Sequence, residues 1–426
     1  MTGTQAAGQA REVLGTAVAG MLSLGVAVGL GRFAFTPLLP MMLDDGSVSL
    51  ATASWLANAN YIGYLLGALL CTLQPWLWSR VTGLPAVSFA SIVRGGLAAT
   101  AVLTIAMALP WPGAWPTLRF AAGVASALVL VFTAGWCLAR LSRLGAPAMG
   151  AVIFVGPGAG IVISGLCGGA LVAGQWSSAS GWLILGVLAA VLTACVWSAF
   201  RGGEERLVPM TRSTGSLPPR SSAAVGGTGG GRGEAVLLAV NYGLAGFGYI
   251  ITATFLPVIA REAIPGSAWL DLFWPLFGCG AVAGALLATR IPPAIDRRYL
   301  LAGAYAFQAL GIATSLWSPT SAGFAIGSLM LGLPFTVITF FAMQEARRLR
   351  ASAAASFMGL LTATYGIGQV AGPSLVAALL PGSSTPGAGL TLSLQIAAAA
   401  LATGALAYLV MVLAWPVAPG REARER

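Results

Sequence analysis

Long apolar runs fill most of this chain, and short polar stretches separate them. A helix that crosses about 30 Å of hydrocarbon needs about 20 residues, and twelve of the runs reach that length. The pattern therefore predicts an all-α polytopic membrane protein with twelve transmembrane helices. The predicted spans cover residues 14–40, 52–76, 87–109, 116–139, 148–173, 181–200, 235–260, 269–290, 299–317, 321–343, 354–380 and 389–415.

Composition places the chain in the same class. Its 426 residues are 57% hydrophobic and 8% charged, with a mean hydropathy of +0.86, which is far outside the range of water-soluble domains. The net charge of +10 would by itself suggest a nucleic-acid partner, but the arginines lie in short loops and tails, so the lipid bilayer is the expected partner. The five cysteines fall in apolar spans without metal-ligand spacing, and we therefore expect no metal and no cofactor.

One polar segment, residues 201–233, separates two sets of six predicted spans. It contains two glutamates, five arginines, a Pro-Pro pair and a glycine-rich run. Such a composition buries little apolar surface, so it predicts a flexible linker. The predicted organisation is a tail at 1–13, a six-helix bundle at 14–200, this linker, a second six-helix bundle at 234–416 and a tail at 417–426.

The arginines predict the orientation, because basic residues near membrane ends stay on the cytoplasmic side. With the N-terminus inside, nineteen arginines lie in the inner loops, the linker and the tails, whereas the outer loops hold only Arg261. Both termini and the linker are therefore predicted to be cytoplasmic.

The second half of the chain repeats the first. A shift of 217 residues places GLGRFAFTPLLP, residues 29–40, on GFGYIITATFLP, residues 246–257, and a shift of 209 places Met149-Gly150 on Met358-Gly359. Two such halves predict parallel repeats about an axis along the membrane normal, with a site near the midplane where they meet. Alternating access by rocking of the halves is the mechanism that this geometry favours.

Two six-span halves joined by a cytoplasmic linker resemble the major facilitator superfamily. Arg119-Phe-Ala-Ala-Gly123 is similar to its Arg-x-x-x-Gly signature, and Gly156-Pro157 is similar to its span-5 Gly-Pro element. The strings GLGRFAFTPLLPMM in span 1, NANYIGYLLGALL in span 2 and YGIGQVAGP in span 11 further resemble the YbfB/YjiJ branch. The resemblance implies a transporter of the plasma (inner) membrane, and we expect a bacterial source and a monomer.

The loop after span 2 departs from the superfamily pattern. It lacks the Asp of the acidic-basic motif that the superfamily carries there, although the counterpart after span 8 keeps Asp296-Arg297-Arg298 at altered spacing. A gating role of this motif between the halves is therefore left open.

Arg32 is the main candidate for function, because a guanidinium inside hydrocarbon costs several kcal/mol unless it faces water or a partner. It lies roughly 27 Å along the first span. Helical spacing puts Gly25, Gly29, Arg32 and Thr36 on one small and polar face that should look into the protein. The alternative is that Arg32 satisfies helix-end carbonyls or extends to the interface.

Arg119 is a second buried-charge candidate, near the outer end of span 4. The superfamily resemblance implies a role in the transport pathway or in proton transfer. Against this, an arginine only a few residues inside a span can reach the membrane interface unaided.

The acidic residues point to the kind of substrate. All twelve carboxylates fall in tails, loops, the linker or the edges of spans, and the chain has no histidine. A cavity whose only buried charges are positive favours an anionic or carboxylate-bearing substrate, which Arg can hold with two hydrogen bonds. A coupling proton stays open, because Glu12, Asp44, Asp271 or Glu345 can lie deeper than their edges suggest, or the substrate can carry the proton.

The repeat also predicts the wall opposite Arg32, since the same shift turns its face into Tyr242, Gly246 and Tyr249. The predicted substrate-binding residues are Arg32, Asn60, Tyr64, Arg119, Tyr242, Tyr249, Thr336, Tyr365 and Gln369. Taken singly, each polar residue can instead form an interhelical hydrogen bond. Gly156-Pro157 and Gly372-Pro373 are predicted helix kinks, because proline lacks the amide hydrogen and glycine permits the bend.

A secondary transporter is the function that these features favour. No phosphate-binding nucleotide motif is present, and without histidine or a buried carboxylate the common catalytic constellations lack members, so an enzyme is not expected. The predicted partner is a small-molecule substrate, with a proton as the candidate coupling ion. The alternatives are a non-transporting membrane sensor or scaffold, and a proton-coupled exporter of hydrophobic compounds.

Overall fold

A computed structural model describes residues 3–80, 88–200, 230–267, 269–292, 294–379 and 386–417. These residues are mostly helical and contain no β-strand. The α-helices are α1 (Gly3–Leu24), α2 (Phe35–Asp44), α3 (Leu50–Arg80), α4 (Phe89–Ala106), α5 (Trp115–Arg143), α6 (Val155–Ala173), α7 (Ser178–Val196), α8 (Gly230–Ala263), α9 (Phe273–Ala288), α10 (Arg297–Trp317), α11 (Ser321–Leu349), α12 (Ala354–Leu379) and α13 (Pro386–Ala414). A π-helix covers Gly25–Leu30, and 3-10 helices cover Pro147–Phe154, Leu270–Leu272 and Ala351–Ala353.

The all-helical membrane architecture predicted from the sequence is confirmed. Within the described ranges, eleven helical segments are long and apolar enough to cross a membrane, and the first, Ala7–Asp44, joins α1, the π-helix and α2. The predicted eleventh span, α12, is 26 residues long but is not among the eleven. Its many Gly, Ser and Thr residues, with one Tyr and one Gln, lower its apolar character.

Several helices begin at side-chain caps that the sequence supplies, among them α3, where the Ser49 hydroxyl accepts from the Thr52 amide at 3.2 Å. Ser88 accepts a hydrogen bond from the Ser91 amide before α4, and Asp296 accepts one from the Arg298 amide before α10. Thr320 does the same for α11. These oxygens satisfy amide groups that have no partner in the first helical turn.

The predicted tails and linker fall only partly within the described residues. Helix α1 already begins at Gly3, so most of the predicted N-terminal tail is helical and continuous with the first span. Residues 201–229 of the predicted linker and 418–426 of the predicted C-terminal tail lie outside the described residues. The last four linker residues belong to α8, which begins at Gly230.

The helices form two groups, which we call the first group (residues 3–200) and the second group (residues 230–417). In the first group α3 packs on α5, α4 packs on α5 and α7, and the π-helix packs on α6. In the second group α9 packs on α11, α10 packs on α11 and α13, and α8 packs on α12. The two groups meet mainly where α3 contacts α12 and where α6 contacts α9.

Equivalent glycines allow equivalent close crossings in the two groups. A Cβ atom on Gly63 of α3 would clash with the Phe120 carbonyl oxygen, and one on Gly280 of α9 would lie 2.6 Å from that of Leu329. Gly63 and Gly280 are related by the same 217-residue shift as the repeat motifs. The backbones approach so closely that only glycine fits.

The first span is interrupted before Arg32. In the π-helix the amides of Gly31 and Phe33 bond to carbonyls five residues back, at 2.8 and 3.2 Å, and α2 starts only at Phe35. A Cβ on Gly29 would lie 2.7 Å from the Cα of Gly160, so α6 crosses tightly here. The break therefore leaves the backbone around Arg32 in a turn rather than in a regular helix.

The two predicted kink sites differ. Pro157 lies in the first turn of α6, just after the 3-10 helix ends at Phe154, and a proline there removes no intrahelical hydrogen bond. Pro373 lies inside α12, and this helix continues past it to Leu379. The change of helix type thus lies immediately before Gly156, whereas α12 is not interrupted at Gly372.

Candidate functional site

Arg32 lies between the two helix groups and is only 4% exposed. Its Nη2 donates a hydrogen bond to Oε1 of Gln369 on α12, and Nε2 of Gln369 donates to the hydroxyl of Tyr249 on α8. Arg32 therefore does not extend to the membrane interface. It reaches the predicted opposite wall through Gln369.

Aromatic rings surround the rest of the Arg32 guanidinium. Its Cζ lies 4.0 Å from the centre of the Tyr64 ring, 5.4 Å from that of Tyr61 and 5.6 Å from that of Phe33. A cation at these distances is attracted by the ring faces. Nε of Arg32 has no hydrogen-bond acceptor among the described residues.

No carboxylate compensates this charge within the described parts of the chain. The ion pairs there join other arginines, such as Arg140 with Glu12 and Arg298 with Glu234. Arg32 is thus held by a neutral amide and by ring faces. A buried cation in such surroundings has an unfilled capacity to bind an anion.

Arg119 has different hydrogen-bond partners from Arg32. It is 2% exposed, and its Nη1 and Nη2 donate to the carbonyl oxygens of Gly31 and Arg32, both at 3.2 Å. Asn60 supports it by donating from Nδ2 to the Arg119 carbonyl at 2.9 Å. Arg119 therefore satisfies the carbonyls around the break in the first span, a role that the sequence had left open for Arg32.

The remaining predicted residues divide between the site and its supports. The Tyr365 ring lies 4.8 Å from that of Tyr242 and 5.6 Å from that of Tyr249, and Tyr242 donates its hydroxyl to Thr339 at 3.0 Å. Thr336 instead donates to the Ala281 carbonyl at 3.1 Å, which links α11 to α9. Tyr242, Tyr249 and Tyr365 thus form one wall of the site, whereas the Thr336 hydroxyl is used in the contact between α11 and α9.

Sequence reasoning missed the aromatic residues next to Arg32. The Phe33 ring of the first group lies 5.9 Å from Phe335 and 5.7 Å from Trp274, both in the second group. Phe335 in turn lies 4.8 Å from the Tyr249 ring. An apolar ring in an apolar span has no feature that separates a site from core packing, so only the position of Phe33 beside Arg32 could have suggested it.

A second cluster of charges lies at the end of the second group where α10 begins. Arg298 bonds to Asp296 at 2.6 Å and to Glu234 at 3.1 Å, and Arg348 bonds to Glu234 and to Glu345. Burial by itself would raise the pKa of the Asp296 carboxyl, but the hydrogen bonds and charge of Arg298 outweigh it and hold this pKa below its usual value. These pairs join α8, α10 and α11 within the second group. Glu234 and Glu345 are only 5% and 2% exposed, so the expectation of no buried carboxylate is wrong for these two, which are buried because arginines surround them.

Two helix groups with matching helix pairings that meet beside the buried Arg32 fit a membrane transporter of the major facilitator kind. The chain belongs to the family described as "Uncharacterised MFS-type transporter YbfB", whose profile matches residues 24–409. It is therefore a multi-pass membrane protein and a secondary transporter rather than an enzyme, and the resemblance seen in its motifs is confirmed.

Two known proteins are similar to the chain, one in sequence and one in fold. It is 29% identical over 379 residues to a chloramphenicol resistance protein of Streptomyces lividans, covering 84% of this chain and 87% of the relative. Its fold is similar to that of a mutant of the nucleoside transporter NupG seen in a crystal structure, with a TM-score of 0.60 and 15% identity over 93% of this chain and 99% of the other.

Proposed function

We propose that this transporter carries a small organic anion, most simply a carboxylate, and binds it at Arg32 between the two helix groups. The observation that carries the proposal is the buried guanidinium of Arg32, which has an amide and aromatic rings around it but no carboxylate among the described residues. A bound anion would supply the missing negative charge.

One edge of the Arg32 guanidinium suits a carboxylate. Nε and Nη2 lie on the same edge of the planar guanidinium, and a carboxylate binds such an edge with two parallel hydrogen bonds. Here Nη2 bonds to the single amide oxygen of Gln369, while Nε has no acceptor. We infer that the Gln369 oxygen occupies one of the two positions that the oxygens of a substrate carboxylate take.

The contacts between the groups support alternating access. Gln369 and Tyr249 belong to the second group and Arg32 to the first, so separation of the groups breaks the hydrogen bond at the site. The groups also meet nearer the start of α12, where Ser356 donates to the Thr72 carbonyl at 2.7 Å. On the other side of Arg32 the hydroxyls of Tyr61 and Thr254 lie 3.4 Å apart, and rocking of the groups about Arg32 would open the Ser356 contact and the Tyr61 contact one at a time.

The repeat supports a twelve-span arrangement of two six-helix halves. Every main helix pairing in the first group has a counterpart in the second, with α12 in the position that corresponds to α6. We therefore take α12 as the remaining span. Together with the arginine distribution, this supports the proposal that both termini lie on the cytoplasmic side of a plasma membrane, and the Streptomyces relative agrees with a bacterial source.

Flux measurements on purified protein in liposomes test the proposal. Arg32→Gln should lower counterflow of an organic anion about 10- to 100-fold, because it removes a hydrogen bond to a charged group and leaves a buried anion unpaired. Arg32→Lys should retain part of the activity, since lysine keeps the charge but not the two-donor edge.

Arg94→Gln is the matched control. Arg94 is also partly buried, but it donates to the Trp197 carbonyl at 3.0 Å between α4 and α7, away from the site. The anion proposal is wrong if Arg32→Gln and Arg94→Gln transport every tested anion equally well at equal protein levels. Binding of an anion without any counterflow would indicate a sensor instead.

One observation favours a second candidate, the export of a neutral hydrophobic compound. The Streptomyces relative is named for chloramphenicol resistance, and the site is rich in aromatic rings. Expression of this chain in a sensitive strain would then raise its tolerance of chloramphenicol. Under this candidate Arg32→Gln would leave the tolerance unchanged.

A further inference from the structure

We propose that the substrate carries a single carboxylate directly on, or close to, a planar aromatic ring. This inference rests on the proposed function and narrows it. Its basis is the connected set of aromatic rings that begins beside Arg32 and crosses from one helix group to the other.

The rings form an unbroken series of contacts. The ring-centre distances are 4.8 Å for Tyr242–Tyr365, 5.6 Å for Tyr365–Tyr249, 4.8 Å for Tyr249–Phe335, 5.9 Å for Phe335–Phe33 and 5.7 Å for Phe33–Trp274. Aromatic pairs at such separations contribute more than the burial of their area alone. A ligand ring that enters the series gains the same interactions.

The position of Phe33 shows where a ligand ring would bind. Phe33 is the only member of the series from the first group, and it meets Phe335 and Trp274 of the second group. When the groups separate, Phe33 leaves these two rings, and the parts of them that it contacts become free. A planar substrate would then occupy the space between Phe33 and the second group.

The spacing between charge and ring is short. Phe33 follows Arg32 directly in the chain, and the Cζ of Arg32 lies 5.6 Å from the centre of the Phe33 ring. A ligand ring next to Phe33 therefore places a directly attached carboxylate, or one a carbon or two away, at the guanidinium. Longer linkers would carry the acid group past Arg32.

Only one carboxylate can be compensated here. Both terminal nitrogens of Arg119 already bond to the carbonyls of Gly31 and Arg32. Its Nε has no acceptor among the described residues, but the guanidinium lies 4.9 and 5.9 Å from the centres of the Phe35 and Trp182 rings, both in the first group and outside the series of rings next to Arg32. Arg298 and Arg348 are paired with Glu234 at the far end of the second group. A second carboxylate on the substrate would be buried without a partner, and this is strongly unfavourable.

Thermal stabilisation of the purified protein separates these features with four probes. Benzoate should bind about 2- to 10-fold more tightly than cyclohexanecarboxylate, which has the same charge without a π-system. Terephthalate and benzamide should each bind at least about 10-fold more weakly than benzoate, because one adds an unpaired carboxylate and the other lacks the charge.

The results distinguish this inference from the function on which it rests. Equal affinity for benzoate and cyclohexanecarboxylate would overturn the aromatic part and leave the anion proposal intact. Binding of benzamide but of neither carboxylate would overturn both. Equal affinity for terephthalate and benzoate would overturn the single-charge part alone.

Phe335→Leu tests the assignment in the protein itself. It should bring the ratio of benzoate to cyclohexanecarboxylate affinity close to one, since it removes a ring that the substrate would contact. The control is Phe132→Leu, because Phe132 packs on Phe89 at 5.2 Å between α5 and α4. The ratio is measured within each variant, so partial loss of folded protein does not affect it. An unchanged ratio in Phe335→Leu, or an equal change in Phe132→Leu, would contradict the proposal.

Discussion

The first and seventh spans are equivalent by sequence but differ in structure. Arg32 and Tyr249 are related by the 217-residue shift, and both bond to Gln369. The first span is interrupted by a π-helix before Arg32, whereas α8 runs unbroken through the equivalent position. The repeat therefore supplies two matching positions around one amide, and only the first half places a charge and an irregular backbone there.

The ion pairs of Glu12 in α1 and Glu234 in α8 also differ between the two groups, and here the second group has the buried charges. In the first group Glu12 and Arg140 form a single pair at 2.7 Å, with side chains 45% and 33% exposed. In the second group the corresponding helices carry Glu234 and Arg348, which join the fully buried Arg298 in a network. The second group is thus tied together by buried charges, while the first group holds the cation and the broken helix of the site.

The largest effect is expected when the buried network is cut. Arg298→Gln should lower the free energy of unfolding by about 3–5 kcal/mol, because Asp296 loses its arginine partner and the buried Glu234 keeps only Arg348. Arg140→Gln in the first group should change it by about 0–1 kcal/mol, since that pair is exposed. Thermal unfolding in detergent measures both. Similar losses for the two variants would remove the contrast between the groups.

Arg119→Gln should have the next largest effect. It leaves two buried carbonyls without donors, and each unsatisfied group costs about 1–3 kcal/mol. The equivalent residue of the second group by the 209-residue shift is Ser328, whose hydroxyl has no partner among the described residues. Ser328→Ala should therefore stay within about 0.5 kcal/mol of the parent. If Ser328→Ala is as harmful, the broken first span is not the reason that Arg119 matters.

Tyr249→Phe tests the Tyr249 side of the comparison. It removes the hydroxyl that accepts from Gln369 but keeps the ring, so stability should fall by about 0.5–1.5 kcal/mol and anion affinity should change as Gln369 reorients. The control is Tyr305→Phe, which removes a hydroxyl bonded to the Asn241 carbonyl at 2.7 Å. Tyr305→Phe should lower stability similarly without changing anion affinity. Equal anion affinities in the two variants would show that the Tyr249 hydroxyl does not contribute to the binding site.

The smallest expected effect is a pH dependence at Asp296. Its pKa is below the usual value in the folded protein, so its stabilisation is present above the unfolded-state pKa and is lost as the pH falls through the folded-state pKa. The difference in melting temperature between the parent and Asp296→Asn should therefore shrink as the pH falls from about 6 towards about 3. A difference that stays constant over this range would show that the carboxylate charge is not responsible.

The sequence predicted the architecture well because long apolar runs have few possible structures in a membrane. Scarcity of charge singled out Arg32 as a candidate, and the resemblance to the superfamily signature singled out Arg119. The sequence could not tell which arginine binds the helix carbonyls, because any arginine inside an apolar span needs water or a partner. The answer depends on where the carbonyls of Gly31 and Arg32 point. Those carbonyls become available only through the π-helix, which the pattern of Gly25 and Gly29 suggests but does not require.

The contacts of Gln369 also could not be predicted from the sequence. Gln369 was one of several polar residues in apolar spans, each of which could have formed a bond between neighbouring helices. Thr336 turned out to do so, while Gln369 bonds to both Arg32 and Tyr249. Nothing local to either residue distinguishes them, because the difference arises from which helices face each other between the groups.

The bond between Arg32 and Gln369 also bears on how membrane voltage acts on the transport cycle. A neutral amide leaves the empty site with one positive charge, whereas a bound monoanion would cancel that charge. A membrane potential exerts about 2.3 kcal/mol per charge per 100 mV on a charge that crosses the full field. If the substrate is such a monoanion, we expect voltage to act mainly on the return of the empty carrier. Each cycle then moves one net charge, so the membrane potential contributes to the driving force together with the substrate gradient.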